Sequence, residues 1–225
     1  MAQQRSRGRP PKAVVTPRKI ADAALAIVAE AGYGKLTMSA VARNLGVAPS
    51  ALYNHVSGKE ELLYLVEDAL MAQVDTRPLA ACLRGGTSAR AALLEWARSY
   101  RDVFSRHTPL IEQIATMPIF GARETVEMYE LVVQVLLSAG VAPDRAIDAV
   151  VALESFIFGS AYDVRAPADI FAVPEGGASE GVEAPGLREA LSRRRGHDSG
   201  GGVNPYADPP FEWGLQLLVG GILGA

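Results

Sequence analysis

The chain has 225 residues, a formal net charge of −3 and 49% hydrophobic residues, a composition that excludes disorder and allows one large or two small domains. Its single cysteine, Cys82, excludes an internal disulfide and fits a reducing compartment. No uninterrupted apolar run reaches the roughly 18 residues that span a bilayer, and no signal peptide precedes the first predicted helix. We therefore expect a soluble cytoplasmic protein with no membrane partner.

Charge is distributed unevenly along the chain. Residues 1–60 carry nine Lys or Arg and three Asp or Glu, a charge of +6, whereas the remainder carries −9. This division predicts a head that binds a polyanion and an acidic body. Residues 1–16 include "RSRGRPPK" and show no helical period, so they are predicted to be a flexible basic arm.

Two helices are predicted after the arm. Apolar residues at helical spacing indicate a first helix that begins at Pro17 and ends at Gly32. The stretch "TMSAVARNLG" fits a second helix, with Thr37 as its cap and Gly46 as its end.

A third helix is predicted over "VAPSALYNHV", with Pro49 in the first turn, and a longer helix begins near Ser57. Only "LGV" joins the second helix to the third. This is the helix-turn-helix arrangement, in which the second of the pair lies in a DNA major groove. Any two packed helices with a tight glycine turn would show the same pattern, so the motif alone leaves DNA binding open.

The rest of the chain is predicted to be helical as well, so the fold class is all-α. After a break at 84–87, helices are expected at about 88–106, 108–116, 121–139 and 143–163. Residues 165–210 are rich in Gly, Pro and Ala and indicate a mobile loop with one short helix over 187–194. A final helix covers "PPFEWGLQLLVGGILGA".

The segment "LTMSAVARNLGVAPSALYNHVSGKEELL" resembles the signature of the TetR family of one-component transcriptional regulators. The shared features are the Thr before the second helix, the "LGV" turn, the "ALY-x-HV" core and a Lys that starts the fourth helix. The final "FEWGLQLLVGGI" is similar to the "FEFGL" helix of tetracycline-repressor-like members. The resemblance implies a three-helix helix-turn-helix domain over 17–65 and a helical ligand-binding and dimerisation domain over 66–225. It further implies a homodimeric repressor that binds a palindromic double-stranded DNA operator and releases it when a small molecule binds.

DNA contacts are assigned from side-chain chemistry and from this resemblance. Hydroxyl, imidazole and ammonium groups donate to phosphate oxygens, and the matching positions are Thr37, Tyr53, His55 and Lys59. Base reading is assigned to Ser39, Ser50, Ala51 and Asn54. The Asn54 amide can pair with an adenine edge, and the Ala51 methyl can touch a thymine methyl. Tyr53 could equally be a core aromatic, and Ser39 and Ser50 could simply be solvated.

The basic arm has two possible roles. Its "RGRPP" resembles the "RGRP" core with which AT-hook peptides lie in a narrow A·T minor groove, a placement that would bring Arg7 and Arg9 into that groove. The alternative is a disordered tail that only adds nonspecific electrostatic attraction. Both roles predict contact with nucleic acid.

The resemblance also implies a dimer interface made by two helices of the second domain. The predicted interface residues are Val150, Leu153, Ile157, Phe211, Leu215, Leu218 and Ile222. In the final helix, the last four recur at spacings of four and three, which indicates a packing seam. An intramolecular core would give the same pattern.

An apolar or aromatic effector is expected in the second domain. Its candidate contacts are Trp96, Tyr100, Phe104, Gln113, Thr116, Met117, Phe120, Tyr129 and Asp163. Bulky stripes of this kind are more often core than pocket lining. In tetracycline-binding members, the segment matching "QIATMP" gives a histidine to the drug's magnesium. Here Gln113 stands at that position, and because an amide is a poor magnesium ligand we expect no recognition of magnesium–tetracycline, although Asp163 offers a carboxylate at the end of its helix.

Two other classes of protein fit this sequence less well. An enzyme is not expected, because "FGSAY" lacks the second glycine of a nucleophile elbow, Cys82 has no evident histidine partner, and the three histidines show no metal spacing. We therefore predict no catalytic residue and no cofactor. An architectural protein of A·T-rich DNA without effector control is the remaining alternative, although it would not need a large acidic body.

Overall fold

The computed structural model describes residues 15–171, 183–194 and 204–224. In these residues every regular element is helical, which confirms the all-α prediction. The α-helices are α1 (Pro17–Ala31), α2 (Met38–Asn44), α3 (Lys59–Met71), α4 (Arg77–Leu83), α5 (Ala89–Ser105), α6 (Ile111–Ile114), α7 (Arg123–Ser138), α8 (Pro143–Asp163), α9 (Pro185–Arg194) and α10 (Asp208–Leu223). Short 3-10 turns occur at Tyr33–Lys35, Pro49–Ala51, Thr108–Leu110 and Ile119–Gly121. No helix in the described ranges is long and apolar enough to cross a bilayer.

The contacts divide the chain into two compact units. Unit 1 consists of the described residues up to Ala72 together with Glu112–Val126, and unit 2 consists of Gln73–Ile111 and the described residues from Glu127 onward. Sequence patterns alone place no boundary inside 66–225. The segment 112–126 joins unit 1 through α3, because Asp68 accepts from the Glu124 amide at 2.7 Å and Glu67 accepts from the Thr125 hydroxyl at 3.0 Å.

Unit 1 is built around the packing of α1 on α3 and on α2. Helix α1 begins as predicted, because the Thr16 hydroxyl accepts from the Lys19 amide at 3.3 Å and Pro17 needs no amide partner. Its buried stripe includes Ile20, Ala24 and Val28, none more than 2% exposed. This interior holds α2 and the turn that follows it.

Unit 2 is built around α5, which packs against α4, α8 and α10. Helix α4 is absent from the sequence prediction, whereas α5, α7, α8 and α10 lie where helices were expected. The short helix predicted over 187–194 is also confirmed and begins slightly earlier, at Pro185. Residues 172–182 and 195–203 of the predicted mobile loop lie outside the described residues.

A series of polar contacts joins α10 to α5. Arg98 forms a two-bond ion pair with Glu212, both bonds 2.7 Å long. Buried Arg101 bonds Asp208 at 2.7 Å and lies over the Phe211 ring, 4.4 Å from its centroid. On its other side, α10 approaches α8 closely at Gly214, where a Cβ would lie 2.6 Å from the Phe156 ring. These contacts fix which face of α10 is turned inward.

Candidate nucleic-acid interface and ligand-binding unit

Helix α2 and its following turn have the geometry expected of the first half of a helix-turn-helix. The Thr37 hydroxyl caps α2 by accepting from the Ala40 amide at 3.1 Å, so its own proton stays available to another acceptor. The helix ends at Asn44, and in the turn that follows Gly46 has a φ of 66°, in the left-handed region. The Val47 amide donates to the Ala42 carbonyl at 3.0 Å. A glycine is favoured at position 46 because a side chain would strain this backbone conformation.

The third helix differs from the sequence prediction. An α-helix over 47–56 was expected, but a 3-10 turn at Pro49–Ala51 is followed by further turns. No side chain caps this element, because Ala48 offers no acceptor, and the Leu52 amide bonds the Pro49 carbonyl at 3.0 Å in the tighter pattern. Leu52 and Val56, at most 1% exposed, still anchor the segment in the core.

The polar candidates for DNA contact remain largely at the surface of unit 1. Ala51 and His55 are half-buried, and the exposed candidates are Thr37, Ser39, Ser50, Tyr53, Asn54 and Lys59. Tyr53 is 57% exposed, so it is not the core aromatic that its sequence also allowed. Arg7 and Arg9, with the rest of the predicted arm up to residue 14, lie outside the described residues.

Lys59 has an aromatic neighbour that the sequence reasoning missed. Its Nζ lies 4.2 Å from the centroid of the Tyr33 ring, within the range of a cation–π contact. Just before it, the Ser57 amide donates to the Glu61 carboxylate at 2.6 Å, and this bond lowers the pKa of Glu61 below its usual value. The sequence offered one signal for this contact, because Tyr33 is an aromatic residue in the break that follows α1. Together these contacts fix the start of α3 and the direction of the Lys59 ammonium.

The predicted effector residues are divided between the two units. Unit 2 contains Trp96, Tyr100, Phe104, Tyr129 and Asp163, and unit 1 contains Gln113, Thr116, Met117 and Phe120. In unit 1, Phe120 is 87% exposed, and the exposed Thr116 donates within its own turn to the carbonyls of Glu112 and Gln113. No cluster of three His, Cys, Asp or Glu side chains that could hold a metal occurs in the described part of the chain.

The aromatic residues of α5 form a fully buried row. Trp96, Tyr100 and Phe104 are 0% exposed, and successive ring centroids lie 5.6 and 5.1 Å apart. The Tyr100 hydroxyl donates to Glu154 on α8 at 2.6 Å, and the Tyr129 hydroxyl on α7 donates to the same carboxylate oxygen. Burial, followed by the nearby Glu154 charge, raises the pKa of Tyr100 well above its usual range. Glu154 was not among the predicted residues, although a lone glutamate in the apolar run "VVALESFIF" is a signal that could have identified it.

Asp163 lines a cavity of unit 2. This cavity has a volume of about 560 Å³ and is bounded by the end of α8, one face of α9 and the start of α10. None of the other predicted effector residues lines it.

Five of the seven residues predicted for the dimer interface are instead core residues of this chain. Val150, Leu153, Ile157, Phe211 and Leu215 are at most 5% exposed. The reason is that α8 and α10 pack on α5 and on each other, and this packing covers the apolar seam that the sequence predicted as an interface. Those five side chains are therefore covered in the single chain and not open to contact with a second copy. Leu218 and Ile222 are half-buried.

A different apolar face of α8 and α10 is open. It is formed by Ile147 and Val151 on α8, which are 62% and 54% exposed, and by Trp213 and Leu217 on α10, which are 71% and 56% exposed. Leu217, Leu218 and Ile222 also line a groove of about 570 Å³ between the two helices. We refer to Ile147, Val151, Trp213 and Leu217 as the open apolar face. Large exposed apolar side chains on two packed helices indicate an interaction surface.

Comparison with known proteins covers both units. The model for tetR-family bacterial regulatory proteins matches residues 20–65, and the model for the tetracyclin repressor-like C-terminal domain matches residues 84–224. The class A tetracycline repressor from transposon 1721 of Escherichia coli is 29% identical over 208 residues, which are 92% of this chain and 89% of that protein.

Two Streptomyces proteins extend this comparison. The repressor DrrR1 of Streptomyces coeruleorubidus is 31% identical over 156 residues, 69% of this chain, and the match spans 55% of the length of DrrR1. The structure of a TetR transcriptional regulator from Streptomyces coelicolor superposes with a TM-score of 0.71 at 25% identity, covering 94% of this chain and 99% of that one. The chain thus belongs to the TetR family of bacterial transcriptional regulators, with the helix-turn-helix region and the tetracycline-repressor-like region that its sequence predicted.

Proposed function

We propose that the protein is a cytoplasmic transcriptional repressor that binds a near-palindromic operator as a homodimer and leaves it when a small molecule binds unit 2. The observation that carries this proposal is the exposed polar surface around the helix-turn-helix. It includes Tyr53, Asn54 and Lys59, and the neighbouring Leu52 and Val56 are buried in the core. The relatives support it, since DrrR1 and the class A tetracycline repressor are both named as repressors.

Within this proposal the exposed side chains divide into two roles. Thr37, Tyr53, His55 and Lys59 hold phosphates, and their contribution to affinity depends on salt and not on sequence. Ser39, Ser50, Ala51 and Asn54 read bases. Ser50 and Ala51 lie on a 3-10 turn of three residues. Because this element is short, its side chains can reach few bases in each half-site.

The dimer uses the open apolar face. A second copy that meets the chain there would cover Ile147, Val151, Trp213 and Leu217, four large side chains that water otherwise contacts. A two-fold axis through this face makes each residue contribute twice. Two reading heads related by that axis require an operator with the same symmetry, with half-sites roughly 34–36 Å apart.

The effector site is assigned to unit 2, where the aromatic row of α5 meets Glu154 and Tyr129. An apolar wall with a few fixed polar groups is the usual composition of a small-molecule site. Asp163 lines the cavity bounded by α8, α9 and α10, so it is not part of this proposed site.

The proposal is tested by selecting DNA with the purified full chain from a random duplex library. The expected product is one family of near-palindromes, and the chain should repress a reporter that carries the selected site. Enrichment of A·T-rich sequence with no symmetry would instead support an architectural DNA-binding protein. Failure to enrich any sequence would contradict both DNA-binding functions.

A further inference from the structure

Two helices of unit 2 each place a hydroxyl group on one carboxylate oxygen of a third helix. Tyr100 of α5 donates to Glu154 Oε1 at 2.6 Å, and Tyr129 of α7 donates to the same atom. No hydrogen bond or ion pair reaches the second oxygen, Oε2, from the described residues. Because the pKa of Tyr100 is raised, its phenol stays protonated and remains a donor. Glu154 therefore keeps one oxygen engaged and one oxygen available.

The surroundings of this carboxylate are aromatic. Tyr100 and Phe104 both contact the ring of Phe158, which lies near Glu154 on α8, with centroids 5.6 and 4.9 Å away. One turn before Tyr100, the wholly buried Trp96 has an indole N–H with no hydrogen-bond partner among the described residues. A buried donor without an acceptor is costly and needs an explanation.

A purely structural role explains these groups poorly. Apolar side chains of similar volume hold helices together as well as a buried charged network does, and often better. The carboxylate also remains reachable, because Glu154 and Tyr129 are only half-buried while Trp96 and Tyr100 are fully enclosed. A partly open carboxylate bordered by aromatic rings attracts cations, since both the charge and the negative ring faces favour them.

We propose that the effector is a hydrophobic or aromatic cation whose positive charge lies against Glu154. This assignment rests on the proposed function, because it specifies the chemistry of the effector site in unit 2. The two tyrosines orient the carboxylate by fixing Oε1, which leaves Oε2 to meet the ligand. An anion of the same shape is rejected by the same charge.

Charge-matched probe pairs separate this proposal from general hydrophobic binding. The bulky pair is tetraphenylphosphonium and tetraphenylborate, and the small pair is phenyltrimethylammonium and benzenesulfonate. Binding is measured by calorimetry on the full chain without DNA. At least one cation should bind at one site per chain, and its anionic counterpart should bind at least about tenfold more weakly.

Glu154→Gln is the decisive variant. It removes the charge but keeps an oxygen that accepts from Tyr100 and Tyr129, so the fold should persist, as a thermal melt would verify. Cation affinity should fall at least about tenfold. The matched control is Glu130→Gln on α7, which removes the same charge from an exposed side chain whose hydrogen bond within the described ranges is with Gln134. It should leave cation affinity unchanged.

Three results would overturn the inference: equal binding of cation and anion, unchanged cation binding by a folded Glu154→Gln chain, or no saturable binding of either cation. Because these titrations contain no DNA, they are independent of operator binding. A chain that binds the cations through Glu154 but selects no operator would refute the proposed function while leaving the charge selectivity of the site established. A chain that selects an operator but shows no preference for cations would refute only this inference.

Discussion

Truncation of one side chain of the open apolar face, Leu217→Ala, should weaken dimerisation and leave the folded chain intact. Leu217 is 56% exposed in the single chain, so a second copy can still cover about half of it. Full burial of a leucine is worth about 1.5–3 kcal/mol, and half of this is about 0.8–1.5 kcal/mol per chain. Because a two-fold interface uses each residue twice, the dimer should lose about 1.5–3 kcal/mol, or about a 10- to 140-fold rise in its dissociation constant.

Leu215→Ala on the same helix is the matched control. Leu215 is 0% exposed, and its truncation leaves a cavity that should lower the free energy of unfolding by about 2–5 kcal/mol. Sedimentation velocity over a concentration series gives the dissociation constant, and urea denaturation gives the free energy of unfolding. Both variants are compared at one chain concentration, because dimerisation itself adds apparent stability. An unchanged dissociation constant for Leu217→Ala, or a loss of stability as large as that of Leu215→Ala, would refute the proposed interface.

Three further predictions concern single side chains. Lys59→Ala should weaken binding to the selected operator and to random DNA alike, and it should flatten the slope of log affinity against log salt by about 0.9 per lost phosphate contact. Tyr33→Leu should give part of this loss and Tyr33→Phe almost none, because the ring and not the hydroxyl contacts the ammonium. In gel-shift titrations Asn54→Ala should cost about 1–3 kcal/mol on the operator and less on random DNA, and equal losses on both would refute base reading. Burial, and then nearby arginine charges, lower the pKa of His107 below its usual 6.5, so the unfolded chain takes up this proton more readily. Stability to urea should therefore fall as the pH drops through about 6.5, and His107→Gln should flatten that part of the profile; an unchanged profile would contradict the assignment.

Local chemistry made the start of the chain predictable. Thr37 and Gly46 bound α2 as expected, because a hydroxyl cap and a left-handed glycine are signals carried by single residues. The third helix was predicted less well, since apolar spacing at Leu52 and Val56 is satisfied equally by a 3-10 turn. Without a cap at Ala48, nothing local extends that turn into an α-helix.

Features that depend on packing were beyond the reach of sequence periodicity. The spacing of Phe211 and Leu215 correctly indicated a seam, but periodicity does not say whether a seam faces its own chain or a partner. Three arginine-centred contacts between α5 and α10 determine that answer: Arg90 with Gln216, Arg98 with Glu212 and Arg101 with Asp208. Each joins residues more than 100 positions apart. Glu154 was overlooked for a related reason, because its two tyrosine partners come from different helices.

The ratio of affinities for the selected operator and for a scrambled duplex of the same composition tests the central claim most directly. It is measured by fluorescence anisotropy with the full chain at physiological salt, where nonspecific phosphate contacts are weak. A sequence-specific repressor should prefer its operator by about 10³-fold or more, with two chains bound per near-palindrome. A ratio close to one, or one chain bound per duplex, would contradict the account.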